Sequence, residues 1–252
     1  MGKLRYTIPN SFTAMSLLLG VGSIVTGQLG NLELSAWMIV WCGLLDVMDG
    51  LAARLLNATS SFGAEFDSMA DLVSFGVAPA MLIFHAGMEV GGVQPGSNGF
   101  LVLLVSVGVF VLAGAMRLAR FNLTTDKPRS GWFAVIPITA AGGGLLSSMV
   151  ILLVRYEDIA DALPLHAYLP IVMFVLAIGM MSSIRFPKIT RRKSNFINGF
   201  QIFVVIGTYY CGITRSFPEF LFFMGLFLMI AGIIAGRITK MEELEEEAPA
   251  TE

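Results

Sequence analysis

The sequence predicts an all-α protein, a polytopic bundle of about eight membrane-spanning helices. Of its 252 residues, 56% are hydrophobic and only 13% are charged, whereas about a quarter of the residues in a typical soluble domain are charged. The apolar residues also occur in long runs, and about 20 such residues in a helix cross the roughly 30 Å hydrocarbon layer. Both observations indicate an integral membrane protein. The net charge of −2 argues against nucleic acid as a partner.

Turn-forming residues divide the apolar runs into eight predicted spans. Clusters of such residues occur at positions 27–31, 91–99 and 216–218. The first run follows Lys3 and Arg5 but is longer than the apolar core of a signal peptide, so we expect it to be a retained helix. The predicted spans are residues 11–27, 34–56, 65–87, 99–121, 131–153, 166–184, 198–214 and 219–237.

The distribution of Lys and Arg predicts the orientation. Eight spans place both termini on one side of the membrane, and 14 of the 16 basic residues then fall on that side. The positive-inside rule assigns this side to the cytoplasm. We expect the membrane to be the cell (inner or plasma) membrane. We expect residues 1–240 to form a single membrane domain. Residues 241–252, which hold six glutamates, are expected to be a disordered cytoplasmic tail.

Four aspartates lie inside the second and third predicted spans. Asp46 and Asp49 are three residues apart, and Asp67 and Asp71 are four apart, so each pair shares one helix face. The short connection makes the two helices antiparallel neighbours, which brings the carboxylates together near the cytoplasmic end. Placing an ionised carboxylate inside the membrane costs about 3 kcal/mol or more. Bound cations must therefore balance the negative charge of the four aspartates. All-oxygen ligands favour Mg²⁺ or Mn²⁺, and the sequence predicts a two-ion site that binds a diphosphate.

The residues between the two aspartate pairs fit a phosphate-containing ligand. Gly50 and Ala53 lie on the face of the first pair and leave room beside the helix backbone. Arg54 offers a planar guanidinium to a phosphate. Gly63 opens the third span, where backbone amides can meet phosphate oxygens.

Together these residues form the pattern D-x2-D-G-x2-A-R-x8-G-x3-D-x3-D, which resembles the signature of the CDP-alcohol phosphatidyltransferase family. Three further stretches, residues 67–80, 117–122 and 183–187, resemble the phosphatidylserine synthase branch of that family. The resemblance implies an enzyme that transfers the phosphatidyl group of CDP-diacylglycerol to the hydroxyl of L-serine. Its products are phosphatidylserine and CMP, and its active site faces the cytoplasm.

The resemblance also implies roles for individual residues. The four aspartates match the metal ligands, and Asp71 also matches the general base. The carboxylate of serine needs a cation, for which Arg117 and Arg120 are candidates, and Asn122 could bind the amine or the carboxylate. The remaining matches, at positions that hold the CDP moiety or line its pocket, are Asn10, Thr13, Gly50, Ala53, Arg54 and Ser60.

Several alternatives stay open at this point. The acceptor could be glycerol 3-phosphate or an inositol phosphate, and the donor could be an ether lipid. A divalent-cation transporter would also place carboxylates within helices, but here they cluster at one end and form no path across the membrane. Gly232 and Gly236 form a G-x-x-x-G pair that could mark the contact face of a homodimer.

Overall fold

The computed structural model describes residues 4–123, 132–133, 136–182, 186–187 and 194–247, which are mainly helical. One short antiparallel pairing joins β1 (Trp132–Phe133) to β2 (Phe186–Pro187). The helices are α1 (Leu4–Gln28), α2 (Leu32–Leu55), α3 (Ser61–Glu89), α4 (Asn98–Leu123), α5 (Thr139–Arg155), α6 (Glu157–Ala162), α7 (Leu165–Met181), α8 (Asn195–Thr214) and α9 (Pro218–Glu247).

The predicted all-α membrane bundle is confirmed. Within the described ranges, six helices are long and apolar enough to cross a membrane, namely α1 to α4, α8 and α9. The fifth and sixth predicted spans correspond to α5 and α7, which are shorter apolar helices near the lower limit of about 17 residues for a crossing. Large apolar side chains such as Leu18, Ile178 and Ile213 are exposed on the bundle surface, as expected of helices that face lipid. The predicted orientation of the termini stays a prediction.

Three boundaries differ most from those predicted. Helix α1 begins at Leu4 and continues through Pro9, because a proline near a helix start removes only one early backbone bond. Helix α5 begins at Thr139 and not at 131, since the residue before Pro137 is disfavoured in the helical conformation. The backbone of α9 stays helical to Glu247, past the predicted start of the disordered tail. Residues 248–252 lie outside the described ranges, and the division into one domain and a tail stays a prediction.

Buried hydroxyl and thiol groups join the first three helices. Ser23 and Ser35 exchange hydrogen bonds of 2.8 and 2.9 Å between α1 and α2. Two turns closer to the aspartates, Ser74 of α3 and Cys42 of α2 both donate to the carbonyl of Ser16, at 3.1 and 3.2 Å. Hydrogen bonds between membrane helices contribute about 0.6 kcal/mol each. This network therefore fixes α1, α2 and α3 relative to one another directly beside the aspartate positions.

Two π-helical segments pack directly against each other inside the bundle. Leu72–Val77 of α3 follows Asp71 directly, and Thr139–Leu146 forms the first half of α5. A Cβ atom at Gly142 would overlap the carbonyl oxygen of Phe75, so only glycine allows this approach. π-Helical turns are rare and are often found at functional sites. The wide turn after Asp71 thus depends on the packing of Gly142 against Phe75.

Candidate active site

Three of the four predicted metal-binding carboxylates converge where α2 approaches α3. One oxygen each from Asp46, Asp49 and Asp67 lies within 4.8 Å of the others. Asp71 falls outside this set of three, and its carboxyl group contacts that of Asp46. The predicted clustering at one end of two neighbouring helices is therefore observed. The assignment of these four residues as metal ligands stays a prediction.

Electrostatic repulsion makes this cluster unfavourable without a counter-ion. Two unit charges about 4 Å apart interact by about 4 kcal/mol at an effective dielectric constant of about 20. Asp46 interacts unfavourably with both Asp49 and Asp67. A set of carboxylate oxygens without sulfur or imidazole ligands suits a hard divalent cation such as Mg²⁺ or Mn²⁺. The residues present therefore fit the predicted ions in both charge and ligand type.

The first helix contributes a hydroxyl to the cluster. The side chain of Thr13 is buried, and its Oγ1 donates a hydrogen bond of 2.8 Å to Oδ2 of Asp49. Asp49 is also buried, so this bond satisfies one oxygen of a carboxylate that is withdrawn from solvent. From the sequence we expected Thr13 to line a nucleotide pocket. Its bond orients a carboxylate of the candidate metal site.

A buried arginine faces the carboxylates from α4. Arg117 is only 7% exposed, and its guanidinium interacts favourably with Asp71. Its Nε is buried without a hydrogen-bond partner among the described residues. Arg120, the other predicted acceptor-binding arginine, is exposed at the end of α4. The two arginines, which the sequence did not distinguish, therefore occupy different environments, and only Arg117 lies within the bundle next to the aspartates.

Comparison with known proteins agrees with this geometry. The family model described as CDP-alcohol phosphatidyltransferase matches residues 6–184. This chain belongs to the CDP-alcohol phosphatidyltransferase family. The CDP-diacylglycerol–serine O-phosphatidyltransferase of Helicobacter pylori is 35% identical over 233 residues, which cover 91% of this chain and 90% of the relative. The protein of the same name from Methanocaldococcus jannaschii is 33% identical over 84% of this chain and 89% of its own. The archaetidylserine synthase of Methanothermobacter thermautotrophicus is 29% identical over 72% of this chain and 70% of its own.

The small residues of the family signature border open space. No described atom lies within 4 Å of a Cβ placed on Gly50, the residue after Asp49. Ala53, one turn further, is half-buried, and Arg54 is exposed at the end of α2. A ligand can therefore approach this face of α2 without moving other parts of the chain. The assignment of these residues to the CDP moiety stays a prediction.

Asn10, Ser60 and Gly63 lie together at the start of α3. Ser60 caps the helix, because its Oγ accepts a hydrogen bond of 3.0 Å from the Gly63 amide. The Oδ1 of Asn10 lies 3.2 Å from a Cβ placed on Gly63. From the sequence we expected the Gly63 amide to meet a phosphate oxygen, but Ser60 occupies it in this structure. A side chain larger than glycine would press against the Ser60 and Asn10 oxygens, which lie 3.1 and 3.2 Å from the added Cβ.

Asn122 connects the end of α4 to α3. Its amide donates to Oγ of Ser68 at 3.1 Å and to Oε2 of Glu65 at 3.3 Å. Ser68 follows Asp67 directly, so Asn122 contacts the helix that carries two of the aspartates. From the sequence we expected Asn122 to bind the amine or carboxylate of serine. In this structure its side chain instead bridges α3 and α4.

Helix α8 contributes two contacts that the sequence did not predict. The hydroxyl of Tyr209 donates to the carbonyl of Leu44 at 2.8 Å, and Nε1 of Trp41 donates to the carbonyl of Gly212 at 2.7 Å. The two bonds run in opposite directions between α8 and the part of α2 that precedes Asp46. Nothing in the local sequence of α8 indicates this contact, because its apolar residues could equally face lipid.

Proposed function

We propose that this protein is a CDP-diacylglycerol–serine O-phosphatidyltransferase, which transfers a phosphatidyl group from CDP-diacylglycerol to L-serine and releases CMP. The observation that carries the proposal is the assembly of the family's signature aspartates beside the buried Arg117. The relatives from Helicobacter pylori and Methanocaldococcus jannaschii, which bear this enzyme name, match this chain over most of its length.

The proposed cofactors are two Mg²⁺ or Mn²⁺ ions, held by Asp46, Asp49, Asp67 and Asp71. When bound, such ions supply the positive charge that a diphosphate and its departing CMP require. The hydrogen bond from Thr13 supports this assignment, since metal-binding carboxylates are commonly oriented by a second hydrogen-bonded residue.

The proposed reaction is a displacement at phosphorus. The hydroxyl oxygen of serine attacks the phosphorus that carries the diacylglycerol, and a new P–O bond forms. The bond from that phosphorus to the bridging oxygen breaks, and CMP leaves with the bridging oxygen. Asp71 accepts the hydroxyl proton. Its position beside Arg117, the proposed contact of the serine carboxylate, supports this role.

The acceptor and donor are proposed to bind on opposite sides of the aspartates. Arg117 pairs with the carboxylate of serine, with Arg120 and Asn122 at the exposed end of α4 as further contacts. The open face of α2 at Gly50 and Ala53 receives the CDP moiety, and Arg54 binds a phosphate oxygen. Asn10, Thr13, Ser60 and Gly63 form the wall of the same pocket.

We also propose that the active site faces the cytoplasm and that the enzyme resides in the cell membrane. The support is the placement of 14 of the 16 basic residues on one side by eight crossings. The homodimer is proposed only from the Gly232 and Gly236 pair, although both glycines are buried within the single chain. The molar mass of the purified protein in detergent, measured by light scattering, tests that proposal.

The test of the proposed function is CMP release by the purified protein from CDP-diacylglycerol with a panel of acceptors. We expect CMP and phosphatidylserine with L-serine, and neither glycerol 3-phosphate nor an inositol phosphate should replace it. The relative from Methanothermobacter thermautotrophicus is named archaetidylserine synthase. The same assay is therefore repeated with an ether-linked CDP donor. CMP release with glycerol 3-phosphate alone would overturn the choice of acceptor. Divalent-cation flux into liposomes without CMP release would overturn the enzyme altogether.

A further inference from the structure

A largely apolar cavity lies between α2, the first half of α5, α8 and α9. Its volume is about 410 Å³. Much of its wall is hydrocarbon, with Val204 from α8 and Leu221, Leu228 and Met229 from α9 among the lining residues. Such a lining favours an apolar occupant, because each buried methylene group contributes about 0.8 kcal/mol.

Two hydroxyl groups in the cavity wall are bonded to the backbone. Thr208 Oγ1 donates to the carbonyl of Val204 at 2.8 Å, and the hydroxyl of Tyr209 donates to the carbonyl of Leu44 at 2.8 Å. Neither hydroxyl proton is available to a ligand. A polar ligand would therefore lose hydrogen bonds with water without regaining them at these residues.

The cavity reaches the aspartate cluster. Asp46, one of the three convergent carboxylates, is itself among the lining residues. The lipid donor carries its hydrocarbon chains a short glycerol unit away from the diphosphate. A diphosphate at the aspartates thus places the beginning of an acyl chain at the mouth of this cavity.

The far wall of the cavity is formed by α8 and α9. The match to the family model ends at residue 184, whereas α8 and α9 begin at Asn195 and Pro218. Gly225 of α9 lines the cavity, and no atom of the described chain lies within 4 Å of a Cβ placed on it. A larger side chain at this position would therefore begin in open cavity space.

We infer that this cavity receives one hydrocarbon chain of the lipid donor, and that Gly225 determines how long a chain fits. The inference rests on the proposed function, because the occupant is the donor of that reaction. It adds a determinant of acyl-chain selection on α9, beyond the residues that the family model matches.

The test compares long-chain and short-chain CDP-diacylglycerol in mixed micelles, with L-serine as the acceptor and CMP as the readout. In Gly225→Leu, the ratio of kcat/KM for the long-chain donor to that for the short-chain donor should fall at least tenfold. Each methylene group of the donor that is displaced from the cavity is expected to lower kcat/KM roughly fourfold, the equivalent of about 0.8 kcal/mol. The matched control is Gly199→Leu, an exposed glycine of α8 that does not line the cavity and whose Cβ position is likewise free of described neighbours within 4 Å.

Leu228→Ala has the opposite effect, because it enlarges the cavity. It should raise the ratio of kcat/KM for the long-chain donor to that for the short-chain donor when the long chain exceeds the preferred length. It also keeps the inference testable if Gly225→Leu does not accumulate as folded protein. An unchanged chain-length ratio in the folded variants, with wild-type protein active, would overturn the inference and leave the proposed function intact. Absence of CMP release from wild-type protein with every donor would instead overturn the proposed function.

Discussion

Thr13 and Asp49 join the first helix to the aspartate cluster through a hydrogen bond of 2.8 Å between two buried side chains. The hydroxyl donates, so it fixes the orientation of the Asp49 carboxylate. A residue 36 positions earlier in the sequence thus orients a carboxylate of the candidate metal site. The predictions below follow from this and related contacts.

Replacing Thr13 with valine should weaken metal binding. Thr13→Val keeps the volume but removes the hydrogen bond to Asp49, and the loss of such a supporting contact typically lowers metal affinity about 10- to 100-fold. The measurement is the Mg²⁺ or Mn²⁺ concentration that gives half-maximal CMP release. The control is Thr26→Val in the same helix, because that hydroxyl donates to the carbonyl of Gly22 within α1. Equal half-maximal concentrations in Thr13→Val and wild type would refute the role of Thr13.

Replacing Asp71 with asparagine should abolish turnover while largely sparing CDP-lipid binding. The amide keeps the size of the side chain but cannot accept the serine proton, and general base catalysis contributes about 10²- to 10⁴-fold. CMP release and equilibrium binding of CDP-diacylglycerol are measured on the same preparation. Glu89→Gln, at the opposite end of α3, serves as the control and should behave as wild type. Normal turnover in Asp71→Asn would remove Asp71 as the base.

Changes at Arg117 should act on serine more than on the lipid donor. Arg117→Lys keeps a positive charge but loses the planar guanidinium that pairs with a carboxylate through two bonds, so the KM for serine should rise at least tenfold. The KM for CDP-diacylglycerol should change much less. A serine KM equal to that of wild type in Arg117→Lys would contradict acceptor binding by Arg117.

Gly142 should be intolerant of even one added methyl group. In Gly142→Ala the new Cβ would meet the Phe75 carbonyl oxygen, and strain from overpacking costs about 1–3 kcal/mol. We expect a lower thermal unfolding temperature in detergent and reduced CMP release, because the π-helical segment next to Asp71 must shift. In the control, Gly108→Ala on α4, the added methyl meets no described atom within 4 Å. Unfolding temperatures that agree between the Gly142 variant and wild type would show that the packing is looser than described.

The sequence predicted the aspartate cluster because helical spacing and a short connection determine it. Asp46 and Asp49 share a face for local reasons, and the turn before α3 brings Asp67 to the same end of the bundle. The apolar runs likewise predicted all eight longer helices, since a crossing requires a minimum length.

The remaining features depend on contacts between helices, which spacing along the chain does not report. The π-helical segments arise where Gly142 packs against Phe75, and no local signal distinguishes them from α-helix. Burial separates Arg117 from Arg120 only after α4 is placed against the bundle. The Gly63 amide could have faced a ligand, but Ser60 lies close enough to cap it.

The most direct test of the account is phosphatidylserine formation by the purified protein before and after removal of divalent cations. With CDP-diacylglycerol and L-serine, the account predicts no product in excess EDTA and full recovery on addition of Mg²⁺ or Mn²⁺. It also predicts that Asp46→Asn and Asp67→Asn stay inactive at every metal concentration. Wild-type rates of phosphatidylserine formation in EDTA, or in either variant, would contradict the claim that these aspartates hold the ions that the reaction requires.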